Sequence, residues 1–442
     1  MKNNPAKTED EFYQRDLFSK IKPYFNSKEI IAILGSRQSG KTTLLNIIFK
    51  ELSQKKNCIF LTFEKKDDLE IFDSDIENFK KIYAEAYEAV FIDEFQYAKD
   101  AGQKLKYLYD TTSTKFFISG SSSLEIREAG KYLVGRIFAF YLYPFSFSEF
   151  VRAKNIKLYE IIYPSFQFIS SILNNKPIAL KQADFIKSAA LKEELNQLFI
   201  EFLLFGGYPR VLLSKSYEER KLALSGIFDN YLLREIRSLL HLATENELLK
   251  IARFLALQTG SLISYQELSN VSNLSYEEVK KHINILKQTF IINTISPFFK
   301  NKRKELVKNP KLYFLDNGFR NKIINNFQAI ESRTDAGALA ENFIFSNLRY
   351  SENSEFSDIR FWRTKSQAEV DFVIEKDGKI IPIEVKYAPL KNINIGKAMF
   401  SFIKKYSPEN VIITTNDHSF AKKKIYKSNV YFTPIFYFGI VN

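Results

Sequence analysis

The 442-residue chain has a single cysteine, Cys58, so an internal disulfide and a cysteine-built zinc site are both excluded. Its three histidines, His241, His282 and His418, are scattered along the sequence, which fits packing or surface roles better than metal ligation. No apolar run reaches the ~20 residues that a membrane helix needs. The opening stretch MKNNPAKTEDEFYQR mixes acids with bases and has no apolar core, so it does not read as a secretory signal. The expectation is a cytoplasmic protein without membrane association.

What is present is enough to fold. Hydrophobic residues make up 45% and aromatics 15%, ample for packed cores. The length corresponds to roughly three domains. A formal charge of +13 fits a polyanionic partner. The abundance of Lys, Asn, Ile and Phe also fits an AT-rich genome, which weakens the charge argument.

The segment EIIAILGSRQSGKTTLLNIIF carries the most specific pattern. Ile30 to Leu34 read as a buried strand, and a helical apolar pattern follows Thr42. Between them lie Gly35, Ser36, Arg37, Gln38, Ser39, Gly40, Lys41, Thr42 and Thr43, with P-loop spacing in strand–loop–helix context. The glycines let backbone N–H groups wrap phosphates, and the helix N-terminus favours the negative charge. Lys41 is expected to reach the β- and γ-phosphates of ATP, and Thr42 to ligate Mg2+.

In YEAVFIDEFQ the apolar run Ala89–Ile92 ends in Asp93-Glu94. Acids at the carboxyl end of a buried strand lie at the ligand crevice of an α/β sheet. Asp93 fits the organisation of Mg2+, and Glu94 fits the base that polarises attacking water. CIFLTFE, KFFISGSSS and IFAFYLY read as further strands, and the hydroxyl run at Ser121 fits a sensor of the γ-phosphate. Strands alternating with helices indicate an α/β domain with a parallel sheet.

Residues 13–150 resemble the archaeal-type AAA+ ATPases of prokaryotes in GSRQSGKTTL, FIDEFQ, ISGSSSLEIR and GRIFAFYLYPFSFSEF. The resemblance implies an ATPase core over 1–150 and a helical lid over 151–245. Arg136 matches the position of an arginine finger offered to a neighbouring subunit, which implies a homo-oligomer; the plain reading is a surface arginine. Gly206, Gly207 and Pro209 of FGGYPRVLL match a lid element near the adenine, with Arg210 as a second phosphate sensor; the plain reading is a helix break.

From 246 to 320 the pattern is that of a winged helix. LISYQELSNVSNLSYEEVKKHINILKQTF reads helix, turn, helix, and Ser275 with Glu278 forms a capping-box signature. Val279, Ile283 and Leu286 give the second helix one apolar face. Two strands, IINTISPF and KLYFLD, flank a basic segment with Lys300, Lys302, Arg303, Lys304 and Lys308. Lys280 and Lys287 on the helix, with Lys302, Arg303 and Lys304 on the wing, are the candidate DNA contacts. Many such modules contact only protein, so that alternative stands.

Near the end, EVDFVIEKDGKIIPIEVK reads as a hairpin turning at Asp377-Gly378. That turn sets Lys376 opposite Lys379, Asp371 opposite Glu384 and Glu369 opposite Lys386. Opposed carboxylates ~5 Å apart repel unless a cation lies between them. A divalent metal satisfies this; so does a solvated face with a Glu369–Lys386 ion pair. GALAENFIFSNL, FWRTKSQAEVDFVIE and PIEVKYAPL resemble the C-terminal domain fused to these ATPases, which carries the PD-(D/E)xK nuclease signature. The resemblance implies a nuclease-like domain over 321–442 that binds Mg2+ through Asp371 and Glu384, assisted by Glu341, with Lys386 acting on the scissile phosphate. Val370 stands where the motif has proline.

The functional expectation is an ATP-hydrolysing protein that binds DNA and acts on it through this domain. One alternative is an ATP-controlled switch with a non-catalytic C-terminal domain. Another is a DNA-binding regulator whose two catalytic sites are relics.

Overall fold

The computed structural model describes residues 13–121, 131–174, 176, 186–231, 245–299, 309–350, 358–364, 366–392 and 394–439. The basic segment with Lys300, Lys302, Arg303, Lys304 and Lys308 lies outside the described residues. The chain divides into two compact units. One holds the first sheet; the other holds Gly35–Ser39 and everything from Leu142 onward.

The first unit is built on five parallel strands: β1 (Ile30–Leu34), β2 (Cys58–Thr62), β3 (Ala89–Asp93), β4 (Lys115–Gly120) and β5 (Ile137–Tyr141). Their order across the sheet is β2-β3-β4-β1-β5. The three central strands, β3, β4 and β1, are buried along their whole length. Strands covered on both faces need continuous apolar runs, which is what the sequence supplies there. The helix Lys41–Leu52 turns Leu44, Leu45, Ile48 and Leu52 inward. Its Phe49 meets Phe91 edge-on at 5.4 Å, and Phe91 stacks on Phe117 of the next strand at 4.4 Å. Packed aromatics of this kind contribute about 0.5–1.5 kcal/mol each beyond area burial.

The second unit contains a mixed eight-stranded sheet. Its strands are β6 (Ile292–Pro297), β7 (Lys311–Phe314), β8 (Asp358–Arg363), β9 (Glu369–Lys376), β10 (Lys379–Glu384), β11 (Asn410–Thr415), β12 (Ala421–Ile425) and β13 (Ser428–Pro434). The order is β12-β13-β11-β10-β9-β8-β6-β7. Val370, Val411 and Phe432 of this sheet form a core with Met399, Phe402 and Ile403 of the helix Lys397–Tyr406.

Ahead of β6, the helices Tyr265–Ser272 and Tyr276–Gln288 meet at a turn where Asn273 takes a left-handed conformation. The Ser275–Glu278 capping box forms in both directions, and Val279, Ile283 and Leu286 are buried. The antiparallel pair β6–β7 then follows, but it is not free-standing. Ser296 and Pro297 pair in parallel with Arg360 and Phe361 of β8, so this hairpin extends the C-terminal sheet.

Candidate functional site

The P-loop leaves the carboxyl end of β1 and enters the helix Lys41–Leu52 at Gly40, which is left-handed. The first turn is closed by the Leu44 amide donating to the Gly40 carbonyl at 2.9 Å. Gly35 lies so close to the Leu142 carbonyl oxygen that a Cβ would overlap it, so no larger residue fits. Ser39 donates its hydroxyl to the Ser36 carbonyl at 2.8 Å, which folds the loop on itself. Ser36, Ser39 and Lys41 are buried, whereas Gln38, Thr42 and Thr43 are exposed and Arg37 is intermediate. A lysine 4% exposed at the first turn of a helix, after a tight glycine loop, is the donor set that phosphate requires.

Within the first unit, Thr42 donates its hydroxyl to Asp93 Oδ2 at 2.8 Å. The other Asp93 oxygen accepts from the Ser119 hydroxyl of β4. These contacts bring together positions 51 and 26 residues apart, because β3 and β4 are neighbours and Thr42 heads the adjoining helix. Hydroxyl and carboxylate are the hard oxygen ligands that suit Mg2+. Glu94 follows at φ 55, a conformation that turns the chain away from the strand. Its carboxylate accepts from the Gln96 side chain, and its amide lies 3.4 Å from Ser119 Oγ.

Ser121 is buried just past β4, but it is Ser119, two residues earlier, that touches Asp93. The sequence reading passed over Ser119; the available signal was a polar residue inside the apolar run KFFIS. Arg136 lies at the amino end of β5, opposite the end from which the loop leaves β1. Its guanidinium is held by Asp110 at 2.8 Å and lies over Tyr109. That ion pair fits the plain reading of a surface arginine, away from the strand end at which the phosphate loop begins.

In the second unit, Gly206 and Gly207 end the helix Ala189–Phe205, and Pro209 opens the short helix Pro209–Leu212, with Arg210 exposed. Gly207 donates its amide to Asp316 at 2.7 Å, and its carbonyl accepts from Phe145 at 2.7 Å. Burial pushes the Asp316 carboxyl up to about 6, against the pull of the Gly207, Phe319 and Gly318 amides. Tyr208 lies between Asp316 and Ser36 of the P-loop, and burial holds its hydroxyl well above its usual range. The Gly-Gly-x-Pro element thus ties the phosphate loop to the segment that follows β7.

A second candidate site lies in the C-terminal sheet. Asp377 and Gly378 both have positive φ, as a two-residue hairpin turn requires. The paired register runs from Lys376 opposite Lys379 to Phe372 opposite Ile383 and stops one step short of Asp371 and Glu384. There the strands part, and Asp371 Oδ2 accepts the Val385 amide at 2.7 Å. The low-dielectric surroundings and the Glu341 charge push the Asp371 carboxyl up. Glu384 is buried; its Oε1 meets Lys386 Nζ at 2.8 Å and its Oε2 has no hydrogen-bond partner among the described residues. An orphaned buried carboxylate oxygen is costly, and a cation is the fitting remedy.

The Glu369–Lys386 ion pair of the alternative reading does not form. Lys386 turns to Glu384, and Glu369 pairs with Lys311 at 2.5 Å and Arg363 at 3.3 Å. Glu341 comes from the helix Ala336–Tyr350 and accepts from Tyr313 at 2.5 Å and from Lys311 at 3.2 Å. Among the described residues, no three His, Cys, Asp or Glu side chains converge as a metal cage. The residues fit a cation at Asp371 and Glu384, while Glu341 is engaged by Lys311 and Tyr313. Those two were missed by the sequence reading; a charge at the head of the apolar strand KLYF was the signal.

Of the candidate DNA contacts that are described, Lys280 is exposed, 3.2 Å from Glu277 and over the Tyr276 ring, and Lys287 is exposed on the same helix. No helix among the described residues is long and apolar enough to cross a membrane.

Comparison with known proteins gives matches to three family models. Residues 27–151 match the AAA domain family, residues 196–329 a domain of unknown function, DUF8612, and residues 336–436 another, DUF4143. An uncharacterized protein of Methanocaldococcus jannaschii is 25% identical over 422 residues, covering 92% of this chain and 86% of its own. One of Haemophilus influenzae is 24% identical over 380 residues, covering 82% and 84%. Among solved structures, AMPPCP-bound DnaA from Aquifex aeolicus aligns with 62% of this chain and 86% of its own, at 14% identity and a TM-score of 0.26. Drosophila ORC bound to DNA aligns with 71% and 98%, at 12% identity and a TM-score of 0.26. With the parallel β2-β3-β4-β1-β5 order and the Thr42–Asp93 pair, residues 27–151 resemble the P-loop domains of AAA ATPases.

Proposed function

We propose that this protein is a Mg2+-dependent ATPase that binds DNA and acts on it through the acidic centre of its second unit. The observation that carries the first half is the Thr42 hydroxyl 2.8 Å from Asp93, beside a buried Lys41. Lys41 and the loop amides would hold the β- and γ-phosphates. Thr42 and Asp93 would hold Mg2+, which supplies charge neutralisation at the transferring phosphoryl group. Glu94 would accept the proton of the attacking water, and Ser119 would fix the Asp93 carboxylate. In an oligomer Arg136 would be offered to the next subunit.

The second half rests on the orphaned Glu384 Oε2, the neighbouring Asp371 and the adjacent Lys386. Asp371 and Glu384 would hold a divalent cation that polarises a phosphodiester oxygen. Lys386, with its side chain 43% exposed, would orient water and neutralise charge on the scissile phosphate. The two-helix element before β6, read as a winged helix, and the basic segment after it would bring the duplex.

The test is cleavage of linear, supercoiled and branched DNA in Mn2+ or Mg2+, with and without ATP, by wild type and Asp371→Asn. Metal-dependent cutting lost in the variant supports the reading. Equal cutting by both sinks it.

One observation favours a second reading, an ATP-controlled switch whose C-terminal domain does not cut. Lys311 and Tyr313 already occupy Glu341. ATP turnover strongly stimulated by DNA speaks for the first reading, and turnover indifferent to DNA for the second.

A further inference from the structure

The acidic centre already contains a cation, and that cation belongs to another part of the chain. Lys311 opens β7, the outer strand of the hairpin that follows the two-helix element. Its side chain is only 3% exposed, yet it ends in a charge. Its ammonium lies 3.2 Å from Glu341 Oε1 and 2.5 Å from Glu369 Oε1, and Asp371 feels its charge as well. The strand is fixed in place on both sides. Leu312 exchanges backbone hydrogen bonds with Gly260 and Ser261, and β6 on the other edge pairs with β8. Gly260 takes a positive φ, and a Cβ there would meet the Glu341 carboxylate at 3.2 Å. The turn before the two-helix element and the strand β7 after it thus bring a backbone turn to Glu341 and a lysine to Glu341 and Glu369.

Glu341, Glu369 and Asp371 act on Lys311, and Glu384 adjoins Asp371 on the side of Lys386. A buried ammonium among several carboxylates is stable only because each compensates the other. We infer that Lys311 is a tethered cation occupying part of the acidic centre, so that it limits the divalent metal the centre accepts and couples metal occupancy to the seating of β7. This rests on the reading of Asp371 and Glu384 as cation ligands. On this inference the unpartnered Glu384 Oε2 marks the side left open for metal, and Glu341 and Glu369 mark the side that Lys311 fills. Displacing Lys311, for instance when DNA engages the two-helix element, would release Glu341 to the metal.

The experiment is titration of the full-length, nucleotide-free chain with Mn2+, followed by electron paramagnetic resonance of free Mn2+ and by thermal melting. The proteins compared are wild type, Lys311→Met, Lys311→Arg and Asp371→Asn. A unit positive charge a few Å from a dication weakens binding by well over ~10-fold at an effective protein dielectric. Lys311→Met is therefore expected to bind Mn2+ at least ~10-fold tighter than wild type, or to take up an additional ion, and to gain more melting temperature from Mn2+. Lys311→Arg, which keeps the charge, is expected to follow wild type.

If Lys311→Met does not fold in chelator, recovery of the fold by Mn2+ supports the inference. Failure to recover moves the comparison to Lys311→Gln, which removes the charge but keeps a polar end for the Glu341 and Glu369 carboxylates. Binding by the neutralised variant no tighter than wild type overturns the tethered cation. The Asp371→Asn arm separates the two ideas. Loss of wild-type Mn2+ binding in that variant upholds the metal site whatever Lys311 does, whereas no binding by any of the four proteins overturns both.

Discussion

Asp335 precedes the helix that carries Glu341, and its carbonyl accepts the Leu339 amide at 3.0 Å. Its carboxylate is gripped by two arginines. Arg333 donates through Nε and Nη2, each at 2.8 Å, and Arg320 donates through Nη1. Arg320 is 1% exposed and also donates to the Ala256 carbonyl at 2.8 Å. Burial pushes the Asp335 carboxyl up, but the bonds from Arg333 and Arg320 prevail and hold it at about 2. Asp335→Asn would leave two buried guanidiniums without their counter-charge, at a cost of about 3–5 kcal/mol. The pH dependence gives a separate magnitude. At about 1.4 kcal/mol per pH unit, the gap from 3.8 to about 2 is worth roughly 2 kcal/mol, and less after solvent screening of the partly exposed carboxylate. Because the folded value is depressed, this stability is present above about pH 4 and is lost as pH falls toward 2. Trp362, the sole tryptophan, packs against Phe402 in the same unit, so its fluorescence reports urea unfolding there. At pH 7 Asp335→Asn should lose several kcal/mol, and at pH 3 its deficit should shrink by about 1 kcal/mol. A loss below ~0.5 kcal/mol at pH 7, the range of an ordinary surface change, would refute the reasoning.

Lys41→Ala should abolish tight ATP binding while Glu94→Gln binds but does not turn over, measured by calorimetry and phosphate release; full hydrolysis by the Glu94 variant ends that assignment. Ser119→Ala removes a buried hydroxyl from Asp93 and should slow turnover by roughly tenfold with ATP binding retained; an unchanged rate makes Ser119 a packing residue. Gly207→Ala would drive a Cβ into the Phe145 carbonyl, so urea denaturation should show a loss of about 1–3 kcal/mol; a stable variant means that the lid segment can move away freely. Neutralising Lys302, Arg303 and Lys304 should weaken DNA binding about equally across sequences and lower the salt slope by ~1 per lost contact; unchanged affinity at low salt assigns the two-helix element to protein contacts.

Some of this was legible because it is local. The P-loop is one uninterrupted run from Gly35 to Thr43, and its glycine spacing is read directly from the sequence. The hairpin register followed from Asp377-Gly378, since a two-residue turn leaves one pairing for every residue counted outward. The Ser275–Glu278 capping box spans a single helical turn. In each case the interacting groups lie within one element or across one turn, where the chain has few alternatives.

Tertiary structure decided the rest. The apolar runs named the first sheet's strands but not their order, and only that order brings Ser119 of β4 to Asp93 of β3. The fate of the hairpin's charges was equally nonlocal. Glu369 found Lys311, 58 positions away in sequence, because β6 joins β8 edge to edge and carries β7 with it. Lys386 across the turn was nearer in sequence but pairs with Glu384 instead. A charge in a strand can be read as an anomaly from the sequence; its partner is chosen by which distant backbone supplies the next rung of the sheet, and alternation along the strand does not encode that.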